Sequence, residues 1–337
     1  MQAIDDVRAI SRIAYGFAAS KALFVALEHN IFGRLDTGAL TVQALSEDCG
    51  VAPVPLRTLL VTLVSLGLLV RAGEGYGNGP ASARYLVPGK PAYFGDYYRL
   101  QINRQLYPAM ARLEAGLAGD AAGLLFGGEA GLMADPAQAA IFSEAQHAGS
   151  MGPAVMLARG FDLGGRRRML DVAGGTGAFS IAMCRRNPEL SSTILDFPNV
   201  VAVAHAHVEA AGMEGRIGFL AGDALEVDWP GEQDVVLMSY LLSAVPEAAI
   251  DGLFARAAAA LAPGGVLLVH DFMLDDGGDG PDMAAQWFLI NLALSPHGAS
   301  FSAADLAPRL AAAGLRVREA RDHIHDITRL VVAEHAG

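Results

Sequence analysis

The segment LDVAGGTGAFSIAMCRRNPELSSTILDFPNV, residues 170–200, decides the fold of this chain. A short apolar run at 168–173 enters a glycine turn, and an amphipathic stretch with helical spacing follows it. A second apolar run, 192–195, ends in Asp196, about 20 residues past Gly177. An α/β fold places a carboxylate there to accept hydrogen bonds from ribose hydroxyls. The segment therefore predicts a strand, a tight turn and a helix that bind a nucleoside.

The glycines and the residues after them distinguish among nucleoside cofactors. A dinucleotide turn needs a third glycine where helix and strand close around a pyrophosphate, and this chain has Ser180 at that position. S-adenosylmethionine has no phosphate, so it needs only close backbone contact, which consecutive glycines permit because they lack Cβ atoms. A further acidic turn, at Asp223 and Ala224, lies where a third strand would present a carboxylate to the adenine amino group. The pattern favours S-adenosylmethionine over NAD.

Several motifs together resemble one known family. The motifs LDVAGGTG, LDFPNV, GDALE, DVVLMSYLLSAVPE and APGGVLLVHDF resemble those of class I S-adenosylmethionine-dependent methyltransferases of the caffeate and hydroxyindole O-methyltransferase type, bacterial secondary-metabolite relatives included. The resemblance covers nearly the whole chain. It implies a Rossmann-like α/β fold with a seven-stranded, mainly parallel sheet. The cofactor-binding residues that we predict are Asp171, Gly174, Gly175, Gly177, Asp196, Phe197, Asp223, Ala224 and Ser239.

The length of the chain predicts more than one domain. At 337 residues it exceeds the size at which a single hydrophobic core keeps growing. We predict a helical winged-helix dimerisation domain over 1–105, linking helices over 106–160 and a cofactor-binding methyltransferase domain over 161–337. Strands alternate with helical stretches in the last part, which predicts a mainly parallel sheet covered on both faces. The predicted strands lie near 168–173, 192–196, 216–220, 234–239 and 265–271, with a reversed final pair near 315–320 and 327–333.

The winged-helix pattern in the first domain raises the question of DNA binding. The helix predicted at 54–66 is otherwise apolar and offers Arg57 as its only basic residue, whereas a recognition helix needs polar side chains for base edges. In the resembled family this module mediates homodimerisation, so we expect a homodimer. A cofactor-sensing regulator that uses the winged helix is the least favoured alternative.

Composition and charge restrict the partners and the location. The net charge of −12 and the pI near 5.1 argue against nucleic acid and anionic membranes as partners, because these require clustered Lys and Arg. The longest apolar run, 59–70, is too short to span a bilayer. Cys49 and Cys184 lie far apart in the sequence, consistent with a reducing interior. We therefore predict a cytoplasmic enzyme that acts on a small-molecule acceptor.

The chain departs from its relatives where the chemistry takes place. Family members that methylate phenols carry His-Asp-Trp after the fourth strand, and the histidine takes the hydroxyl proton. Alignment places Ser243, Ala244 and Val245 at these three positions, so the usual base is replaced. Asp271 falls where one orienting Glu is expected, and Ser300 where the other would be. A positioned base typically contributes about 10²–10⁴ in rate, so its replacement matters.

The sequence offers other candidates for the base. His297, in a loop that normally faces the acceptor, could form a relocated pair with Asp271. His147 on the linking helix is a second candidate, and Tyr240 is a third that fits a core position better. His270 should point away from Asp271 on its strand and be structural. His147, Asp271 and His297 could also converge on a metal, but no spacing establishes this, and we predict no metal.

Three reactions therefore stay open at this point. We favour O-methylation of a small aromatic or polyketide-like secondary metabolite, with His297 as the base. A carbon or nitrogen nucleophile would need no strong base, so C- or N-methylation is the first alternative. The second alternative is a reaction without methyl transfer, as in hydroxylase or cyclase relatives that bind the same cofactor.

Overall fold

The computed structural model of this chain divides into two compact units. They are an N-terminal unit, Met1–Gln105, and a C-terminal unit, Leu106–Gly337. The residues of the predicted linking helices, 106–160, fall in the C-terminal unit. The structure describes residues 3–119, 131–294 and 298–335.

The N-terminal unit is mainly helical and contains one β-hairpin. Its elements are α1 (Val7–Ala14), α2 (Gly16–Glu28), α3 (Ile31–Arg34), α4 (Val42–Cys49), α5 (Pro53–Ser65), the antiparallel strands β1 (Leu69–Ala72) and β2 (Gly75–Asn78), and α6 (Pro80–Tyr85). Leu56, Leu60 and Leu63 repeat on one face of α5 and are fully buried in a core that includes Phe32 and Tyr76. Helices followed by a two-stranded hairpin are the arrangement of a winged helix.

Helix α1 exposes its apolar side chains. It has no buried residue, and Val7, Ile10 and Ile13 are exposed along it. Within the described residues no single helix is long and apolar enough to cross a membrane, although the bent pairs α1–α2 and α4–α5 reach that length and composition together.

The C-terminal unit is built on one seven-stranded sheet. Its strands are β3 (Arg168–Val172), β4 (Ser191–Asp196), β5 (Ile217–Ala221), β6 (Gln233–Ser239), β7 (Leu261–Asp271), β8 (Leu315–Ile324) and β9 (Thr328–His335). The spatial order is β5-β4-β3-β6-β7-β9-β8; neighbours from β5 to β7 are parallel, and β9 runs antiparallel to both β7 and β8. The predicted seven-stranded, mainly parallel fold is confirmed.

Helices cover both faces of this sheet. The helices of the C-terminal unit are α7 (Tyr107–Ala109), α8 (Leu113–Leu117), α9 (Pro136–Gly160), α10 (Ala178–Arg186), α11 (Pro198–Ala210), α12 (Ile250–Ala260), α13 (Asp282–Leu294) and α14 (Ala303–Ala312). The helices α9, α10 and α11 pack on one face of the sheet and α12 and α14 on the other, whereas α7 and α8 contact α13. Leu170 and Val172 of β3 face a core with α12 and α14, whereas Met169 faces a second core with α9 and α10. Side chains alternate between faces along a strand, so a strand buried on both faces is apolar throughout.

The strand order fixes where a ligand can bind. From β3 the chain first builds outward through β4 and β5, then returns to place β6 on the other side of β3. Open α/β sheets bind ligands at such a reversal, outside the carboxyl ends of the strands. The carboxyl ends of β3, β4, β6 and β7 therefore define the candidate site.

Candidate functional site

The glycine turn after β3 leaves no room for side chains at two positions. Gly177 is the N-cap residue of α10 and has a φ of 79°, and a Cβ atom there would lie 2.5 Å from Cδ1 of Ile194. A Cβ atom on Gly174 would lie 2.7 Å from Cγ of Asp171. Glycine satisfies both constraints because it tolerates positive φ and lacks a Cβ. The turn thus exposes backbone at the carboxyl edge of the sheet, as the sequence predicts.

Asp171 lies directly beneath this turn. It is 1% exposed, and its Oδ2 accepts a hydrogen bond of 2.6 Å from the hydroxyl of Ser180. That hydroxyl is also 2.8 Å from Oγ of Ser192, while Oδ1 of Asp171 has no hydrogen-bond partner among the described residues. Burial raises the pKa of Asp171 to about 7. Ser180, noticed in the sequence only as a missing glycine, therefore holds this carboxyl group.

Asp196 closes the turn from the neighbouring strand. Its Oδ2 accepts from the backbone N–H of Gly175 at 2.8 Å, and its Oδ1 accepts from that of Phe197 at 2.7 Å. Burial raises the pKa of Asp196 to about 6, although these two hydrogen bonds act in the opposite direction. Asp223 lies nearby and contributes to the rise through its charge, while its Oδ1 accepts from the N–H of Leu225 at 2.9 Å.

His147 lies at the same turn, carried there by α9. Its Nδ1 is 2.7 Å from the hydroxyl of Thr176, and its ring stacks on that of His207 with a centroid distance of 3.9 Å. Nε2 of His207 in turn lies 3.2 Å from Oε1 of Glu144 on α9. Burial, with a smaller contribution from His207, lowers the pKa of His147 to about 4. The imidazole is therefore neutral at physiological pH.

Asp271 and Ser243 form a closed pair at the ends of β6 and β7. Asp271 is fully buried; its Oδ1 accepts from the hydroxyl of Ser243 at 2.7 Å and from the N–H of Phe272 at 2.9 Å. Its Oδ2 accepts from the N–H of Ser243 at 3.0 Å. Burial raises the pKa of Asp271 to about 6, against these hydrogen bonds. The indole N–H of Trp287 donates to the Ser243 hydroxyl at 3.1 Å, so this hydroxyl both donates and accepts.

Ser239 is tied to the strand beside it. Its hydroxyl is 2.8 Å from Nδ1 of His270, whose Nε2 is 2.9 Å from the hydroxyl of Thr328. Burial lowers the pKa of His270 well below its usual value. Tyr240 follows with a φ of 58°, and its ring packs against His270 with a centroid distance of 4.6 Å. A positive φ is unusual for an aromatic residue, and such strain clusters at functional sites.

The structure thus brings most of the predicted residues together at one edge of the sheet. Direct hydrogen bonds join Asp196 to the turn, and Gly222, just before Asp223 and Ala224, donates its N–H to the carbonyl of Asp196 at 2.9 Å. Sequence reasoning missed the bond from His147 to the turn, because nothing in a linear pattern shows which residue a helix side chain meets. Predicted His297 lies outside the described residues.

The described part of the chain offers no metal centre. No group of three His, Cys, Asp or Glu side chains within 3–119, 131–294 and 298–335 is arranged to hold a metal ion. His147 bonds to Thr176, whereas Asp271 bonds to Ser243 and Phe272. Each of these two groups has its own partners.

Two family models match the chain. An O-methyltransferase domain matches residues 128–316, and an O-methyltransferase dimerisation domain matches residues 11–88. The first covers the glycine turn, the acidic strand ends and Ser243 with Asp271. The second covers the end of α1 and the elements from α2 to α6 of the N-terminal unit.

Similar proteins support the same family. The 3-hydroxy-5-methyl-1-naphthoate 3-O-methyltransferase of Streptomyces sahachiroi is 32% identical over 90% of this chain and 88% of its own length. The N,N-dimethyltransferase OxyT of Streptomyces rimosus is 30% identical over 81% of this chain and 80% of its own. The crystal structure of human N-acetylserotonin methyltransferase in complex with S-adenosylmethionine superposes with a TM-score of 0.86 at 25% identity, covering 100% of both chains.

Proposed function

The chain belongs to the S-adenosylmethionine-dependent O-methyltransferase family, and on that premise we propose that it methylates a hydroxyl oxygen of a small aromatic or polyketide-like secondary metabolite. The family, the enzyme class and the cofactor predicted from the sequence are confirmed. The observation that carries the proposal is the bare glycine turn closed by Asp196. Likeness to a naphthoate O-methyltransferase favours a fused aromatic acceptor.

The residues at the strand ends fit the cofactor. We infer that Gly174, Gly175 and Gly177 contact its methionine portion through backbone atoms. Beneath them lies Oδ1 of Asp171, which is buried and has no hydrogen-bond partner in the described part of the chain. The ribose would lie at Asp196 and Phe197, with Ser239 flanking the cofactor across the turn. Asp223 and Ala224 would take the adenine. When bound, S-adenosylmethionine supplies a methyl group already activated on a positively charged sulfur.

We propose separate roles for the three predicted catalytic residues. Asp271 holds Ser243 in place and takes no acceptor proton while both of its oxygens accept hydrogen bonds. His147 is a poor base, since a group with a pKa of about 4 competes weakly for the proton of a phenol with a pKa near 10. It instead holds Thr176 and thereby the turn. His297 stays the proposed base.

The proposed function can be tested by incubating the protein with S-adenosylmethionine labelled in its methyl group and a panel of phenolic, enolic and amine acceptors. We expect label in the product, and mass fragmentation should locate it on oxygen. Label on nitrogen would favour the second candidate, N-methylation, to which the similarity with OxyT points. Label on carbon would favour C-methylation, and acceptor conversion with unconsumed cofactor would indicate a hydroxylase or cyclase reaction.

A single substitution tests the proposed base. His297→Ala should lower kcat by about 10²–10⁴ for a phenol with a pKa near 10. The affinity for S-adenosylhomocysteine should stay unchanged, which serves as the control for folding. Turnover within a few-fold of wild type would show that His297 does not take the proton.

We further propose a homodimer formed through the N-terminal unit. The dimerisation-domain match and the exposed apolar side chains of α1 support this assembly. Sedimentation of the wild type should give twice the chain mass of 35.1 kDa. A cytoplasmic location stays a prediction.

A further inference from the structure

Ser239, His270 and Thr328 form a hydrogen-bond network across three neighbouring strands. The hydroxyl of Ser239, the last residue of β6, is 2.8 Å from Nδ1 of His270 on β7. Nε2 of His270 is 2.9 Å from the hydroxyl of Thr328, the first residue of β9. Within the part of the chain that the structure describes, these two hydroxyls and this ring make no other side-chain hydrogen bond. The network therefore runs from Ser239 at one end to Thr328 at the other.

The Ser239 end of this network is the open one. Ser239 is partly exposed, whereas His270, directly opposite it in the pairing of β6 with β7, is fully buried. In the pairing of β3 with β6, Val172 lies opposite Met238, so Ser239 comes next to Ala173, just before the glycine turn. The carboxyl ends of β3 and β6 flank the reversal of strand order, where open α/β sheets bind ligands. The hydroxyl of Ser239 is therefore the end of the network that a ligand at the turn can reach.

The buried end of the network decides which nitrogen of His270 carries the proton. Burial, with a smaller contribution from His323, lowers the pKa of His270 well below its ordinary value, so the imidazole is neutral and has one N–H. A proton on Nε2 would make Thr328 the acceptor, and the hydroxyl proton of Thr328 would then be buried without a partner among the described residues. With the proton on Nδ1, Thr328 donates to Nε2 and both groups are satisfied. The contacts therefore favour the Nδ1–H tautomer.

This tautomer makes Ser239 a donor towards the site. The Nδ1–H of His270 donates to Oγ of Ser239, so the proton of that hydroxyl is not used within the network and is available to a ligand. The glycine turn beside Ser239 is the part of the site that we propose for the methionine portion of the cofactor. Of the charged groups in that portion, the sulfonium and the ammonium cannot accept a hydrogen bond, whereas the carboxylate can. The carboxylate is therefore the group that fits a donor at this place.

We propose that Ser239 donates a hydrogen bond to the methionine carboxylate of the cofactor, and that His270 is the positioning residue that orients this donor. The inference rests on the cofactor of the proposed function and names the group of that cofactor that Ser239 holds. Thr328 acts one bond further away, because it fixes the tautomer of His270. The three residues act on cofactor binding and take no proton from the acceptor.

Two ligands that differ only in the carboxylate test this contact. S-adenosylhomocysteine and its decarboxylated form, S-adenosyl-3-thiopropylamine, are titrated into the protein by calorimetry, without an acceptor. Ser239→Ala should weaken S-adenosylhomocysteine by about 10- to 100-fold, as for one hydrogen bond to a charged group, and should change the affinity for the amine by less than about twofold. An equal loss for both ligands, or unchanged binding of S-adenosylhomocysteine, would overturn the proposal.

A second serine provides the matched control. Ser191 is exposed at the first position of β4, at the opposite end of the sheet, and its hydroxyl donates to the backbone carbonyl of Arg167. Ser191→Ala should bind both ligands as the wild type does.

Variants of His270 test the positioning role. His270→Leu removes the N–H that orients Ser239 and should weaken S-adenosylhomocysteine by about three- to tenfold, as for one neutral hydrogen bond. His270→Asn, whose amide N–H can take the place of Nδ1–H, should restore binding to within about twofold of wild type. The double variant of Ser239→Ala with His270→Leu should bind as weakly as Ser239→Ala alone, because His270 acts only through Ser239. Losses that add in the double variant would contradict the positioning role.

A measurement on the wild type decides the tautomer even if the His270 variants do not fold. With nitrogen-15-labelled histidine, nuclear magnetic resonance should show a protonated Nδ1 and an unprotonated Nε2 for His270, with the signals assigned by their change in Ser239→Ala. A proton on Nε2 would overturn the proposal, since Ser239 would then spend its own proton on His270.

The outcomes separate this inference from the proposed function. If the wild type binds S-adenosylhomocysteine and Ser239→Ala binds it equally well, only the inference fails. If the wild type does not bind S-adenosylhomocysteine, the proposed function fails first. Label on nitrogen or carbon of an acceptor would change the proposed reaction and leave the contact of Ser239 with the cofactor untouched.

Discussion

The two halves of the sheet edge hold their polar side chains in different ways. On the β3–β4 side, Asp196 accepts hydrogen bonds from backbone N–H groups of Gly175 and Phe197. On the β6–β7 side, Asp271 accepts from the backbone N–H groups of Ser243 and Phe272 and also from the hydroxyl of Ser243, to which Trp287 of α13 donates. Hydrogen bonds to backbone N–H groups persist when the side chains of the donor residues are substituted. Hydrogen bonds between two side chains are lost when either side chain is substituted. The β3–β4 side, which we propose for the cofactor, keeps the sequence pattern of the resembled family, whereas the β6–β7 side, which we propose for the acceptor, departs from it.

The strongest test of the backbone-based half is Asp196→Ala. The change removes the carboxylate proposed for the ribose and leaves the N–H groups of Gly175 and Phe197 without their acceptor. We expect the affinity for S-adenosylhomocysteine to fall by about 100- to 1,000-fold, because hydrogen bonds to charged groups contribute about 1.5–3 kcal/mol each. Calorimetry measures this. Asp162→Ala, which removes an exposed acceptor of the Gly164 N–H, is the matched control and should bind within twofold of wild type.

The buried carboxyl under the turn should make stability depend on pH. Burial raises the pKa of Asp171 to about 7 from its ordinary 3.8, so the folded protein holds this proton more tightly than the unfolded chain does. The tighter hold on this proton contributes fully to the free energy of unfolding below pH 3.8, and this contribution is lost as the pH rises towards 7. Asp171→Asn stays neutral, so between pH 5 and pH 8 its unfolding free energy should gain about 1–3 kcal/mol relative to wild type.

Denaturant unfolding at several pH values checks the Asp171 prediction. The bond from Ser180 should survive in the variant, since the asparagine oxygen still accepts. A difference between the two proteins that is the same at every pH would contradict a raised pKa as its source.

A third test concerns His147, which joins α9 to the glycine turn through Thr176. His147→Phe keeps a ring to stack on His207 but loses the bond to Thr176, and it should raise the KM for the cofactor about tenfold, as for one lost hydrogen bond. kcat should change by no more than a few-fold, because an imidazole with a pKa of about 4 is not the base. His147→Gln, which can still bond to Thr176, is the control. A large loss of kcat at unchanged KM would make His147 a proton acceptor instead.

The smallest expected effect concerns backbone strain at the turn. Ala173 has a φ of 54°, a conformation that L-residues other than glycine rarely adopt. Ala173→Gly should raise the free energy of unfolding by about 0.5–1 kcal/mol, the relief of strain exceeding the added chain entropy. Ala206→Gly, at an exposed position within α11, should lower it by about 1 kcal/mol. A loss of stability in both variants would show that Ala173 is not strained.

The sequence predicted the strands well because their signal is local. Each predicted strand overlaps an observed one, and the last pair differs mainly in length, since β8 continues to Ile324 rather than ending near 320. Hydrophobic alternation identifies where a strand lies but not how far an exposed edge strand extends, because its outer residues are polar. Side-chain hydrogen bonds between residues far apart in the sequence left no such local signal. Asn291, for example, donates to the carbonyl of Ser243, which lies 48 residues earlier in the chain.

What the sequence determined by itself is the pattern at the carboxyl ends of β3, β4 and β5: a run of glycines after β3, acids at or near the ends of these three strands, and a serine where a dinucleotide site needs glycine. These features are local, so a linear reading finds them. Only the tertiary structure decided that the hydroxyl of Ser243 bonds to Asp271, that His147 bonds to Thr176, and that the amide of Asn291 donates to the carbonyl of Ser243. Such contacts join elements distant along the chain, and their hydrogen bonds depend on distances that packing alone sets.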